Sequence, residues 1–226
     1  SSTSDVAKDA LGYSLSYYEG DYQSIGTTTG SSFVYSNSPG LESTKNLYNG
    51  NIKQMVTSLI DNNESMLSSQ INHYEYDQLN RIKKMQGSQL TGMTATPSYH
   101  SSYSYDKNGN LQQLHRATVN SQGSVVDMDA LQYTYKTVTD PETGQQVRSN
   151  QLSHVDDAIA GSTFNDLSDQ NPGNYSYDAI GQLIEDKQEG IRNIEWRVDG
   201  KVKKIHKSNG TEVSFYYDGL GNRIGK

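Results

Sequence analysis

The chain has 226 residues, enough for one large domain or a row of repeats. Hydrophobic residues make up 32% of it, and adding the 20 glycines still leaves it below the usual ~45–50%, so a single thick core is not expected. A formal charge of −7 argues against a nucleic-acid partner, which needs a basic stripe, and the absence of cysteine excludes disulfides, thiolate metal sites and thiol nucleophiles.

Disorder is not expected either, because 17 tyrosines stand against 3 Phe and 1 Trp. Tyrosine has a flat apolar body and a polar tip, which suits a thin β structure that is half packed and half wet. Ser1 to Ala10 carry no basic-then-apolar leader pattern, and no window approaches a membrane span. If a larger parent protein is exported, its address is expected outside this chain, and the abrupt end at Gly225-Lys226 reads as that of an excised fragment.

From the N-terminus, Tyr17-Tyr18-Glu19-Gly20-Asp21-Tyr22 reads as a degenerate copy of a motif that is clearer later. Asn49-Gly50, between Tyr48 and Ile52, is a hairpin signal. Residues Val56–Ile71 carry Leu59, Ile60, Met66 and Leu67 at helix-like spacing, but Asp61-Asn62-Asn63 interrupts the run, so two strands are expected there. Residues 1–72 are accordingly degenerate repeats and hairpins, and 73–226 a continuous repeat array.

Four segments carry that array. They are Tyr74-Glu75-Tyr76-Asp77-Gln78-Leu79-Asn80-Arg81-Ile82, Tyr103-Ser104-Tyr105-Asp106-Lys107-Asn108-Gly109-Asn110-Leu111, Tyr175-Ser176-Tyr177-Asp178-Ala179-Ile180-Gly181-Gln182-Leu183 and Phe215-Tyr216-Tyr217-Asp218-Gly219-Leu220-Gly221-Asn222-Arg223-Ile224. Alternation puts Tyr74 and Tyr76 on one strand face and Glu75 on the other. Asp77, Asp106, Asp178 and Asp218 then open a type I turn, their carboxylates accepting from backbone N–H groups ahead. Three residues on, Asn80, Gly109, Gly181 or Gly221 supplies a left-handed backbone, and the next aliphatic starts the returning strand. Ile82, Leu111 and Leu183 are aligned as that aliphatic, with Ile224 in the last copy if one extra residue is allowed and Arg223 in that position otherwise. Tyr133-Thr134-Tyr135-Lys136 is a weaker copy, and Asp199-Gly200 and Asn209-Gly210 are further hairpin signals.

Gly26–Gly40, Asp61–Ser65, Gly87–Ser98, Asn120–Asp129, Asp140–Asn150 and Ala160–Asn174, rich in small polar residues, are expected as surface insertions. The fold class is thus all-β: consecutive antiparallel hairpins in a curved, elongated single sheet, with little or no helix.

The Tyr-Asp-x-x-Gly-x-Leu/Ile units resemble the YD repeats of RHS proteins, over most of the chain from about Tyr13 to Arg223. Tyr217 to Ile224 resembles the entry to the RHS-associated core, and Leu47-Tyr48-Asn49-Gly50-Asn51-Ile52 a stretch upstream of the repeats in bacterial members. The resemblance implies a secreted or cell-surface parent in which hairpins spiral into a hollow shell around a C-terminal toxin or other cargo. It implies a wall segment without catalysis, whose partners are the rest of the parent chain and that cargo. The chain departs from the pattern in lacking a recognisable core with its autoproteolytic motif and a toxin domain. An excised strip of sheet has unpaired edges, so homodimers or edge-to-edge pairing are expected.

Other chemistry is poorly represented. His73, His100, His115, His154 and His206 are scattered, with no His-x-x-x-His pair, and no metal or other cofactor is expected. Asp156-Asp157 and Asp127-x-Asp129 lack calcium-loop spacing. Asp140-Pro141-Glu142-Thr143-Gly144 is similar to turns of RHS cores but reads more simply as a Pro-containing turn. The regular placement of the repeat aspartates favours turns over paired catalytic carboxylates. Asn63, Asn174 and Asn209 head glycosylation sequons, and Asn174 adjoins an expected strand. The competing function is a sugar- or cell-surface-binding module, with exposed tyrosines and Trp196 lining a groove. A hydrolase is a third, weaker reading.

Overall fold

The computed structural model describes residues 9–18, 21, 45–63, 65, 67–91, 94–159 and 167–226. All regular structure in those residues is β. The strands are β1 (Leu11–Ser16), β2 (Gln54–Leu59), β3 (Ser69–Tyr76), β4 (Ile82–Thr91), β5 (Thr94–Tyr105), β6 (Leu111–Val119), β7 (Val125–Thr139) and β8 (Gln146–Asp157). There follow β9 (Tyr175–Tyr177), β10 (Leu183–Asp186), β11 (Ile191–Trp196), β12 (Val202–Lys207), β13 (Glu212–Ser214), β14 (Tyr216–Tyr217) and β15 (Arg223–Gly225).

Strands pair in chain order: β1 to β8 in one sheet, β9 to β13 in a second, β14 with β15 in a third. The pairings are antiparallel, and the order is open rather than barrel-like among the described strands. A single residue, Phe215, separates the second sheet from the third, and its N–H donates to the Lys203 carbonyl at 3.0 Å, so hydrogen bonding to the preceding hairpin continues across the break.

The chain divides into two compact units, Ser1–Ser104 with Leu114–Ala130, and Tyr105–Gln113 with Leu131–Lys226. Residues 72 and 73, where degenerate repeats were expected to give way to clear ones, both lie inside β3. Among the described residues of the first unit the buried apolar ones are Val56, Ile71 and Ala117, with Val56 and Ile71 directly opposite on paired strands. Gln54, His73, Ser88, Ser98, Ser101 and Asp129 are buried as well, so much of that interior is polar. In the second unit Leu131, Val155 and Ile194 are buried. This is the thin core that the composition demands: β pairing and side-chain hydrogen bonds carry what apolar volume does not.

Val56–Ile71 is two strands, β2 and β3, as the Asp61-Asn62-Asn63 interruption suggested. Several expected insertions are not loops. Gly87–Ser98 lies largely within β4 and β5. Its small residues serve close packing instead: Gly87 faces Asn72 across the ladder, and a Cβ there would meet Gln70 Nε2 at 2.8 Å and the Tyr99 carbonyl at 3.0 Å. Asn120–Asp129 is a tight turn followed by β7, and Asp140–Asn150 is a turn followed by β8 from Gln146. Gly26–Gly40 and residues 160–166 lie outside the described residues, whereas 167–174 is irregular.

Candidate functional site

The repeat hairpin is the recurring device of the chain, and its turn is built the same way each time. The N–H of the first turn residue donates to the carbonyl four residues on, and the N–H of the fourth residue returns to the first carbonyl. This holds for Asp77 with Arg81 and Asn80, Asp106 with Asn110 and Gly109, Asp178 with Gln182 and Gly181, and Asp218 with Asn222 and Gly221, at 2.9–3.1 Å. The fourth residue has positive φ: 61° at Asn80, 90° at Gly109, 89° at Gly181 and 83° at Gly221. Each Asp Oδ1 accepts from the N–H groups two and four residues ahead. The pairs are Leu79 and Arg81, Asn108 and Asn110, Ile180 and Gln182, and Leu220 and Asn222, at 2.8–3.0 Å.

Three of these carboxylates are held below the usual range. At Asp77 and Asp106 desolvation pushes upward but is outweighed by the hydrogen bonds from Arg81 and Asn110 and from the turn amides. At Asp218 the Asn222 side-chain and backbone donors dominate. The second carboxylate oxygen braces the site laterally: Asp77 Oδ2 takes Arg81 Nε at 2.6 Å, and Asp106 Oδ2 takes Arg148 at 2.6 Å and Asn110 Nδ2 at 2.9 Å.

In three copies the second aromatic ties its hairpin to the one before it. Tyr76 Oη donates to the Ile52 carbonyl at 3.0 Å, Tyr135 Oη to Leu111 at 2.7 Å and Tyr217 Oη to Val202 at 2.8 Å. Tyr177 differs, its phenol oxygen taking a hydrogen bond from the Leu152 backbone. Leu111 and Val202 begin β6 and β12, and Ile52 lies just before β2. Burial raises the phenol pKa of Tyr74, Tyr76, Tyr135 and Tyr177, in each case chiefly by desolvation. Tyr103, Tyr105 and Tyr175 are half-buried, and Tyr175 Oη accepts from Gln170 Nε2 at 2.9 Å, whereas Tyr216 is 61% exposed. Phe215 therefore fills the first aromatic place in the last copy, and Tyr216 faces outward.

Of the two alignments open for that copy, the strand register selects one. Tyr76 pairs with Ile82, Tyr177 with Leu183 and Tyr217 with Arg223. Arg223, not Ile224, thus holds the position. Its aliphatic stem can cover an apolar surface, and its guanidinium lies 5.6 Å from the Phe215 ring centroid while Ile224 is exposed.

Sequence reasoning read a hairpin at Asp199-Gly200 without recognising its aromatic, and it missed other members outright. Trp196 pairs with Val202 and donates Nε1–H to the Leu183 carbonyl at 2.8 Å, the role Tyr plays elsewhere. Its turn, Arg197 to Lys201, has the same backbone bonds without the leading Asp. The signal was present as aromatic, three residues, Gly200, then an aliphatic at Val202. Asn120-Ser121-Gln122-Gly123-Ser124 repeats the Asp turn with an amide: Asn120 Oδ1 accepts from Gln122 and Ser124 N–H at 3.0 and 2.9 Å. Tyrosine rings of the motifs are covered by cations, Arg148 over Tyr135 and Lys136 over Tyr177 at 5.0 Å, while Tyr18 and Tyr48 stack at 4.9 Å. In the degenerate first copy Asp21 accepts from the Tyr17 and Tyr18 N–H groups; Glu19, Gly20 and Tyr22 lie outside the described residues.

Two buried amides act as braces. Gln170 meets Val155 as a strand would, its N–H donating to the Val155 carbonyl and its Oε1 accepting the Val155 N–H at 2.9 Å. Asn174, 2% exposed, donates to Asp186 and accepts from the Gln188 N–H, so its sequon is sequestered in the fold. Asp140 caps a loop one residue longer than the others, accepting from Glu142 and Thr143 N–H groups. Among the described residues, no group of three or more His, Asp or Glu is arranged to hold a metal ion. Asp127 and Asp129 have separate partners, Asp127 Oδ1 lying 3.1 Å from His115 Nε2 and Asp129 forming an ion pair with Arg116. No family model matches the chain, and comparison with curated proteins returns no match.

Proposed function

We propose that the chain is a wall segment of a hollow β-shell: a YD/RHS-type structural repeat array that, in a longer secreted or cell-surface parent, helps enclose a toxin or other C-terminal cargo and performs no catalysis itself. The observation that carries this reading is the bond from the second aromatic, at Tyr76, Tyr135 and Tyr217, to an aliphatic carbonyl of the preceding hairpin. Such a bond joins hairpin to hairpin in one direction and can be extended indefinitely, as a wall requires. The repeat aspartates are spent on their own turns, which leaves them poor candidates for acid–base work. Electron microscopy of the longer polypeptide containing this segment tests the reading: a continuous β wall around interior density supports it, and an extended array enclosing nothing overturns it.

A second reading, a sugar-binding module, draws on one feature. Tyr48 is 77% exposed and stacked on Tyr18. Aromatic faces of this kind stack on sugars. Trp196 contributes less to it, because its indole N–H is taken by the Leu183 carbonyl. Saturable glycan-array binding lost on Tyr48→Ala would favour this module.

A further inference from the structure

The two ends of the second unit's hairpins differ in chemistry. In an antiparallel meander, alternate turns share an end. The turns after β9 and β11 lie at one end, and the turn between β14 and β15 joins them, because Lys201 Nζ donates to the Gly221 carbonyl. The tips of these three turns carry Ile180, Val198 and Leu220, which are 81%, 110% and 89% exposed. The turns at the opposite end carry Gln188-Glu189 and Ser208-Asn209. The turn position of Ile180 and Leu220 carries exposed Leu79 in the first unit but Asn108 and Gln122 in other turns, so the turn admits an aliphatic there without requiring one.

We propose that this rim is a peripheral lipid-binding edge, with Ile180, Val198 and Leu220 entering the interfacial zone of a zwitterionic bilayer. Three features select lipid over a second protein. The tips offer roughly 100 Å² each, about 300 Å² together, well short of the ~800 Å² per partner of a stable interface, whereas a bilayer accepts single side chains without a minimum area. At two of the three tips the backbone donor is already satisfied, since Ile180 and Leu220 N–H groups donate to Asp178 and Asp218 Oδ1, and a segment entering an apolar phase needs its donors satisfied. At the bases of the turns, Arg197, Lys201 and Arg223 are held over aromatic rings, where phosphates would lie, and Asp178, Asp199 and Asp218 balance them. A balanced rim on a chain of net charge −7 fits a zwitterionic surface and not an anionic one.

This edge stands apart from the wall reading, and either can fail alone. Flotation of the full chain with phosphatidylcholine vesicles tests it. The chain is expected to float with the vesicles, and each of Ile180→Ser, Val198→Ser and Leu220→Ser to lower partitioning about fivefold to tenfold. The triple variant is expected to lose it with an unchanged melting temperature, and Gln188→Ser with Asn209→Ser at the opposite end to retain it. No flotation at millimolar lipid, or flotation undiminished in the triple variant, overturns the proposal. So does a concentration-dependent dimer abolished by the triple variant without vesicle binding, which would make a second copy the occupant.

Discussion

Tyr135 donates its phenol hydroxyl to the Leu111 carbonyl at 2.7 Å, across 24 residues of chain. The ring packs on one hairpin while the hydroxyl reaches the one before it, so one side chain serves both local and longer-range order. Tyr135→Phe keeps the ring and deletes the bond, leaving the carbonyl short of a partner. Destabilisation of about 1 kcal/mol is expected in urea denaturation, with an unchanged m-value.

Turn chemistry gives the next expectation. Gly109 has φ of 90°, where a β-branched residue is strained, so Gly109→Val should cost on the order of 1–3 kcal/mol. Asp106→Ala removes the acceptor of two turn amides and the partner of Arg148, yet leaves the backbone relaxed, and its melting temperature should fall less. Equal melts for both variants and the parent would contradict the turn geometry.

Arg116 and the fully buried Asp129 form a two-bonded pair, Nε to Oδ2 at 2.6 Å and Nη2 to Oδ1 at 3.0 Å. Arg116→Ala strands a carboxylate without its cation. The expected cost is about 2–3 kcal/mol, below that of a fully buried pair because Arg116 is 44% exposed. Adding Asp129→Asn should recover part of the loss in a double-mutant cycle.

Burial lowers the pKa of His73, with the Lys53 charge adding to the effect. A base whose folded pKa lies below its unfolded one favours the fold above the unfolded pKa, about 6.5, and withdraws that contribution as pH falls through the lower value. Melting temperature should therefore drop on acidification from pH 7 towards 5. His73→Gln should flatten that drop, and an identical slope in the variant would remove His73 as its source.

The all-β class and the four strong turns were legible in the sequence because one physical rule, an Asp cap followed three residues later by a left-handed residue, dictates both. Trp196 and Asn120 were missed because the geometry asks for a donor-bearing aromatic and an Asx cap, not for the letters Tyr and Asp. Gly87–Ser98 was misread because small polar residues mark loops and also tightly packed sheet faces, and only the neighbours Gln70 and Tyr99 distinguish the two. Gln170 could not have been found from the chain alone: its partner, Val155, is set by tertiary placement. The cations over the tyrosines were likewise invisible, since Arg148 and Tyr135 meet through strand register.

The architectural role of the motif is tested most directly by thermal denaturation of Tyr76→Phe/Tyr135→Phe/Tyr217→Phe beside the parent chain. The triple variant keeps every ring and loses three hairpin-to-hairpin bonds. Its melting temperature should fall by roughly 6–12 °C, from about 1 kcal/mol per bond. A melting temperature equal to the parent's would contradict the claim that these tyrosines hold the array together.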